Sequence, residues 1–130
     1  MLIFRQGLGV KSINVEKING AVTKFIEERD WDQFHSIKNL SMALNVEASE
    51  LLEIFQWLKE SESNLVIEDE ALKGKVSEEI ADIFIYLMRI AIKSGIDIED
   101  AALQKIEKNA EKYPASQVRG SSKKYTEYKT

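Results

Sequence analysis

Residues 46–57 read V-E-A-S-E-L-L-E-I-F-Q-W, and the fold turns on how that stretch is phased. At about 100° per residue, Leu40, Ala43, Leu51, Ile54 and Leu58 fall on one side of a helix, with Glu47 and Glu50 among them. A helix that only covered a core would turn both carboxylates toward water. Residues 78–82, E-E-I-A-D, repeat the spacing, so Glu79 and Asp82 are neighbours on a helix surface. Two E-x-x-[ED] pairs on two apolar-rich helices are the raw material of a metal site.

Working outward, Asn14 is a plausible N-cap for a first helix. Val15, Ile18, Val22, Phe25 and Ile26 then recur at helical spacing as far as Arg29. The link at 30–35, D-W-D-Q-F-H, is aromatic for a connection, and Ser36 caps a second helix predicted over 37–59. Residues 60–69 are polar and connect it to a third helix over 70–93. That helix is apolar on two sides and keeps one polar stripe of Glu78, Glu79, Asp82, Tyr86 and Arg89. Gly95 ends it. A fourth helix starts at Asp97 and stops at Tyr113-Pro114, with Lys105, Asn109 and Lys112 sharing a face. No strand-like alternation of useful length occurs. The expected class is all-α, a four-helix bundle over 14–114 between a loose arm at 1–13 and a basic, mobile tail at 115–130.

A chain of 130 residues makes one domain with a modest core, short for enclosing a substrate alone, so oligomerisation is expected. Eighteen basic against twenty-two acidic residues give a net charge of -4, which argues against duplex nucleic acid as a partner. Without cysteine, disulfides, thiolate zinc sites and thiol nucleophiles are excluded together. There is no run of eighteen apolar residues for a membrane span and no long apolar start for a signal sequence. Cytoplasmic residence is the resulting expectation.

Four acidic side chains converging from two helices cannot all stay ionised without a counter-charge. A hard divalent cation supplies one: magnesium, with manganese as a substitute, takes oxygen ligands and bridges carboxylates to phosphates. Glu53 and Glu78 are placed to orient such ligands from outside. A di-iron bundle would need Glu-x-x-His pairs, yet His35 is the single histidine. No glycine-rich phosphate loop is present, so phosphates must be held by metal and cationic side chains.

The succession F-I-E-E-R-D-W-D-Q-F-H, N-L-S-M-A-L-N-V-E-A-S-E-L-L-E-I-F-Q-W, E-E-I-A-D-I-F-I-Y-L and K-I-E-K-N-A-E-K-Y-P closely resembles the MazG-like all-α nucleoside triphosphate pyrophosphatases. It is most similar to their dCTP pyrophosphatase branch, and the likeness runs from about Glu16 to Tyr128. The resemblance implies magnesium-dependent cleavage between the α and β phosphates, giving a nucleoside monophosphate and pyrophosphate. It implies Glu47, Glu50, Glu79 and Asp82 as metal ligands. One carboxylate must also take a proton from the attacking water, and Glu50 is assigned that role, although nothing in the sequence separates it from Glu47.

By the same resemblance Trp31 and Trp57 stack on the base, Tyr86 stands near the metal helix, and Lys105 and Asn109 contact the nucleotide. His35 and Asn39 are lesser candidates. Animal members of the branch carry a histidine where this chain has Val22, which implies a pocket open to pyrimidines beyond cytosine. The family forms homodimers, often paired into tetramers, so Arg119, Lys123 and Lys124 of the tail are candidates to reach a neighbour's phosphates. Two other readings are a dUTP or dUDP hydrolase of the related all-α group, and a helical protein that binds nucleotide or metal without turnover.

Overall fold

The computed structural model describes residues 12–128, so most of the expected N-terminal arm lies outside the described residues. Six α-helices follow in order: α1 (Val15–Glu28), α2 (Ile37–Phe55), α3 (Glu60–Ser63), α4 (Glu70–Lys93), α5 (Ile98–Lys112) and α6 (Ala115–Val118). Single 3-10 turns occupy Asp32–Phe34, Val66–Glu68 and Tyr125–Tyr128. No strand occurs among the described residues, and the all-α class stands. The chain divides into two compact units at Ile90 and Ala91, inside α4.

In the first unit the helix starts follow from short polar side chains. The Lys17 N–H donates to Asn14 Oδ1 at 3.0 Å, the Asn39 N–H to Ser36 Oγ at 3.1 Å, and the Leu72 N–H to Asp69 Oδ1 at 3.0 Å. Each satisfies a donor that the first helical turn leaves open. The end of α1 is less ordinary. Asp30 takes the left-handed conformation at φ 51°, its N–H donates to Glu27 O at 3.1 Å, and the Trp31 N–H reaches Ile26 O at 3.1 Å. This is the paired 6→1 and 5→2 closure that usually calls for glycine. Here an aspartate fills it, braced by the Gln33 amide, which donates to both the Asp30 carbonyl and its Oδ2.

The second helix is shorter than its periodicity predicts, ending at Phe55 and not near residue 59. Leu58 N–H turns back onto Phe55 O at 2.9 Å. The Glu62 carboxylate then accepts from the Lys59 N–H at 2.9 Å and opens α3 within the predicted connection. Trp57 is left 88% exposed.

Burial is sparing. Ile26, Leu40, Met88 and Ala91 are the buried hydrophobic side chains among the described residues, Leu40 at 2% and Met88 at 0% exposure. The apolar side of α4 is only half used: Ile85 and Met88 turn inward, whereas Ile80 and Leu87, seven residues apart, are exposed.

In the second unit, Gly95 at φ 64° ends α4 through the same double closure, Ile96 N–H to Ala91 O and Gly95 N–H to Ile92 O. Asp97 caps α5 by accepting from the Asp100 N–H at 3.0 Å. Where the sequence predicts a mobile tail, α6 and the last 3-10 turn are tied back by tyrosines. The Tyr113 and Tyr125 rings meet edge to face at 6.3 Å, and Tyr128 Oη donates to Ser121 Oγ at 2.7 Å.

Candidate active site

Glu47 and Glu50 stand one helical turn apart on α2, and α4 runs beside them with Glu79. Oxygen atoms of these three carboxylates all lie within 4.8 Å of one another. The pKa of Glu47 is raised from 4.5 to about 7, first by desolvation, then by a hydrogen bond with Glu50 and its charge, and last by the charges of Asp82 and Glu79. Glu79 is also raised, first by desolvation and then by the charge of Glu50. Glu79 Oε2 is buried without a hydrogen-bond partner. Like charges gathered this closely are unfavourable on their own. An orphaned buried carboxylate oxygen facing two more carboxylates is what a hard cation's ligand set looks like before the cation arrives, and these residues fit one.

The fourth expected ligand, Asp82, stands outside that group of three. It acts on Glu47 and Glu79 through its charge and lines the neighbouring cavity. The helical spacing of Glu79 and Asp82 makes them surface neighbours without aiming both at one point.

That cavity, about 370 Å³, is walled by α1, by the link after it, by Leu40 of α2 and by one face of α4. Trp31 lines it, its ring meeting Phe25 edge to face at 5.7 Å. The Arg29 guanidinium covers Phe25 at 3.7 Å. Tyr86 faces the same space, with its phenol pKa raised by burial and then by the charges of Glu47 and Asp82, so it is a neutral donor at ordinary pH. Val22 and His35 complete the wall. On the other side of the carboxylates is an open cleft of about 520 Å³, where Glu50 and Glu79 are joined by Glu53, Glu78 and Lys75.

The structure thus brings together Glu47, Glu50 and Glu79, and sets Trp31, Tyr86 and Asp82 around the adjoining cavity. It leaves Trp57 in solvent, outside that wall, because α2 ends before it. Asn39 is a local brace, its amide donating to Phe34 O at 2.9 Å. Lys105 and Asn109 are exposed on α5 in the second unit. Sequence reasoning missed Lys75 and Arg89. Arg89 had a legible signal, since it stands three residues beyond Tyr86 and seven beyond Asp82 on one face of α4.

A sign follows for pH. Between about 4.5 and 7 the folded chain holds a proton on Glu47 that the unfolded chain has lost. This stabilisation is complete below the unfolded value and is lost as pH rises through 7. In cation-free buffer the thermal midpoint should fall from pH 5 to pH 8, and Glu47→Gln should flatten the fall. Adding Mg2+ at pH 8 should raise the midpoint of the native protein. A midpoint that instead climbs steadily to pH 8 without cation would contradict the carboxylate geometry.

A model of the MazG-like family matches residues 42–128 of the chain. Human dCTP pyrophosphatase 1 is 39% identical over 113 residues, covering 87% of this chain and 66% of the human protein. The bovine protein of the same name is 38% identical over 113 residues, with 87% and 67% covered. The chain therefore spans about two thirds of the length of these curated relatives. A crystal structure of a pyrophosphatase from Archaeoglobus fulgidus superposes with a TM-score of 0.69 at 36% identity, covering 82% of this chain and 98% of that one. No helix among the described residues is long and apolar enough to cross a membrane.

Proposed function

The chain belongs to the MazG-like family, and from that premise we propose that it is a magnesium-dependent nucleotide pyrophosphohydrolase acting on deoxynucleoside triphosphates. The observation that carries this reading is the set of three carboxylates within 4.8 Å beside an aromatic cavity. One end suits a cation with phosphates and the other a flat base. Manganese is the natural substitute ion. When bound, the ion neutralises the triphosphate and makes the α-phosphorus more electrophilic.

The protein's own groups do the rest. Glu47, Glu50 and Glu79 hold the ion, and Asp82 adds negative charge from the cavity side. Glu50, the exposed member of the three, takes the proton of an attacking water. Trp31 offers a stacking face, worth about 1–3 kcal/mol per base and tolerant of base identity. Tyr86 Oη supplies a hydrogen bond at the cavity mouth. Lys75 in the open cleft is placed to meet the departing pyrophosphate. Lys105 and Asn109 remain nucleotide contacts by family likeness, and Trp57 serves as a stacking surface if a second copy covers it. The exposed Ile80 and Leu87 support assembly as a homodimer or tetramer.

The names of the curated relatives make dCTP the first substrate to try. Incubated with Mg2+ and a panel of nucleoside triphosphates, the protein should release pyrophosphate and monophosphate, with dCTP among the best substrates. Release of orthophosphate would refute the position of cleavage. A clear lead of dUTP would move the chain to the related dUTP and dUDP hydrolases. Binding without product would make it a nucleotide-binding protein.

A further inference from the structure

Arg89 is a buried cation on the wall of a largely apolar cavity, which it shares with Asp82. It is nine-tenths buried and lines the cavity opposite the apolar residues of α1, Val22 among them. Among the described residues its guanidinium makes one long polar contact, Nη2 to Asp32 Oδ1 at 3.4 Å, and the Asp32 side chain is itself largely exposed. Nε is buried without a partner. A guanidinium carries five N–H donors and no acceptor, and desolvating it is costly unless those donors are used. The cavity wall therefore carries a buried guanidinium with at least one N–H left unused.

Phosphates are the wrong acceptors here. Arg89 lies ten residues beyond Glu79 on α4, about 15 Å along the helix axis, which roots it toward the end of the cavity away from the Glu47, Glu50 and Glu79 group. What reaches that end of a nucleotide is the base. Arginine pairs best with two neighbouring acceptors. Cytosine presents O2 and N3 side by side, whereas uracil and thymine set an N3–H donor beside O2, which would face a second donor.

We propose that Arg89 reads the base, its N–H groups pairing with O2 and N3 of cytosine while Asp32 steadies the guanidinium. Cytosine nucleotides are accepted and uracil or thymine nucleotides are disfavoured. The proposal rests on the reading of the cavity as a nucleotide site and assigns selectivity to a residue of α4, since Val22 offers no polar group from α1.

The test compares wild type, Arg89→Met and Arg89→Lys in two ways: pyrophosphate release from dCTP and dUTP with Mg2+, and calorimetric titration with dCMP and dUMP, which needs no turnover. Wild type should favour the cytosine partner at least tenfold in both. Arg89→Met should lower the cytosine values by about 10- to 100-fold and leave the uracil values nearly unchanged. Arg89→Lys, which keeps the charge without the fork, should recover only part. If dCMP and dUMP bind alike to wild type, or neither binds, the assignment is overturned. It is equally overturned if both bases weaken together in the variants with a lower melting midpoint, the mark of a packing role. Should no nucleotide yield pyrophosphate while dCMP still binds through Arg89, the hydrolase reading fails and this one stands.

Discussion

Glu50→Gln is expected to lower the rate of pyrophosphate release by about 10²–10⁴-fold, the range for losing a positioned proton acceptor. Its carboxylate lies in the group with Glu47 and Glu79, yet the residue is exposed in the middle of α2. The helical signal should survive intact. Removing its negative charge also relieves Glu47 and Glu79, both of which it pushes upward, so the cation-free variant should melt no lower than the native protein at pH 8. Glu27→Gln, exposed on α1 and outside both cavity linings, is the control and should stay within a few-fold. Initial rates with dCTP and Mg2+ decide the matter. A Glu50→Gln protein that keeps more than a tenth of native activity would remove Glu50 from the chemistry.

Leu40→Ala is the second large effect. Leu40 is 2% exposed, in a chain with few fully buried side chains, and it also closes the cavity floor from α2. Truncating a buried leucine costs about 2–5 kcal/mol, the spread reflecting how far neighbours relax into the space. Domains are stable by only about 5–15 kcal/mol in total. The variant should therefore lose much of its margin, seen as a lower urea midpoint with an unchanged slope. Leu52→Ala, on the same helix but 67% exposed, should fall within about 0.5 kcal/mol of native. Similar midpoints for the two would mean that Leu40 is not a packing centre.

The parts of this molecule that were legible in the sequence are those fixed locally. Asn14, Ser36 and Asp97 announce helix starts because one short side chain satisfies one backbone donor. Gly95 announces a stop because of its φ. The end of α2 was not legible. Phe55, Trp57 and Leu58 continue an apolar pattern while the backbone has already turned, under the pull of Glu62 on the Lys59 N–H. Trp57 is exposed on that turn and does not line the cavity.

The acidic site was half readable. Helical spacing finds pairs such as Glu79 and Asp82, but convergence on one point depends on how α2 and α4 are rotated against each other. Among the described residues, Glu47, Glu50 and Glu79 meet. Arg89 was visible as one member of a polar stripe, and its meaning came from the cavity that closes around it. A one-dimensional pattern does not contain that enclosure.

The corner at Asp30 has a last consequence. A backbone at φ 51° is comfortable for glycine, asparagine and aspartate and strained for nearly every other amino acid. The direction in which the neighbouring indole projects is thus inherited through a torsion angle one residue upstream. A bulkier or β-branched side chain at that corner would carry a backbone cost of roughly 1–2 kcal/mol, whatever happens to the ligand.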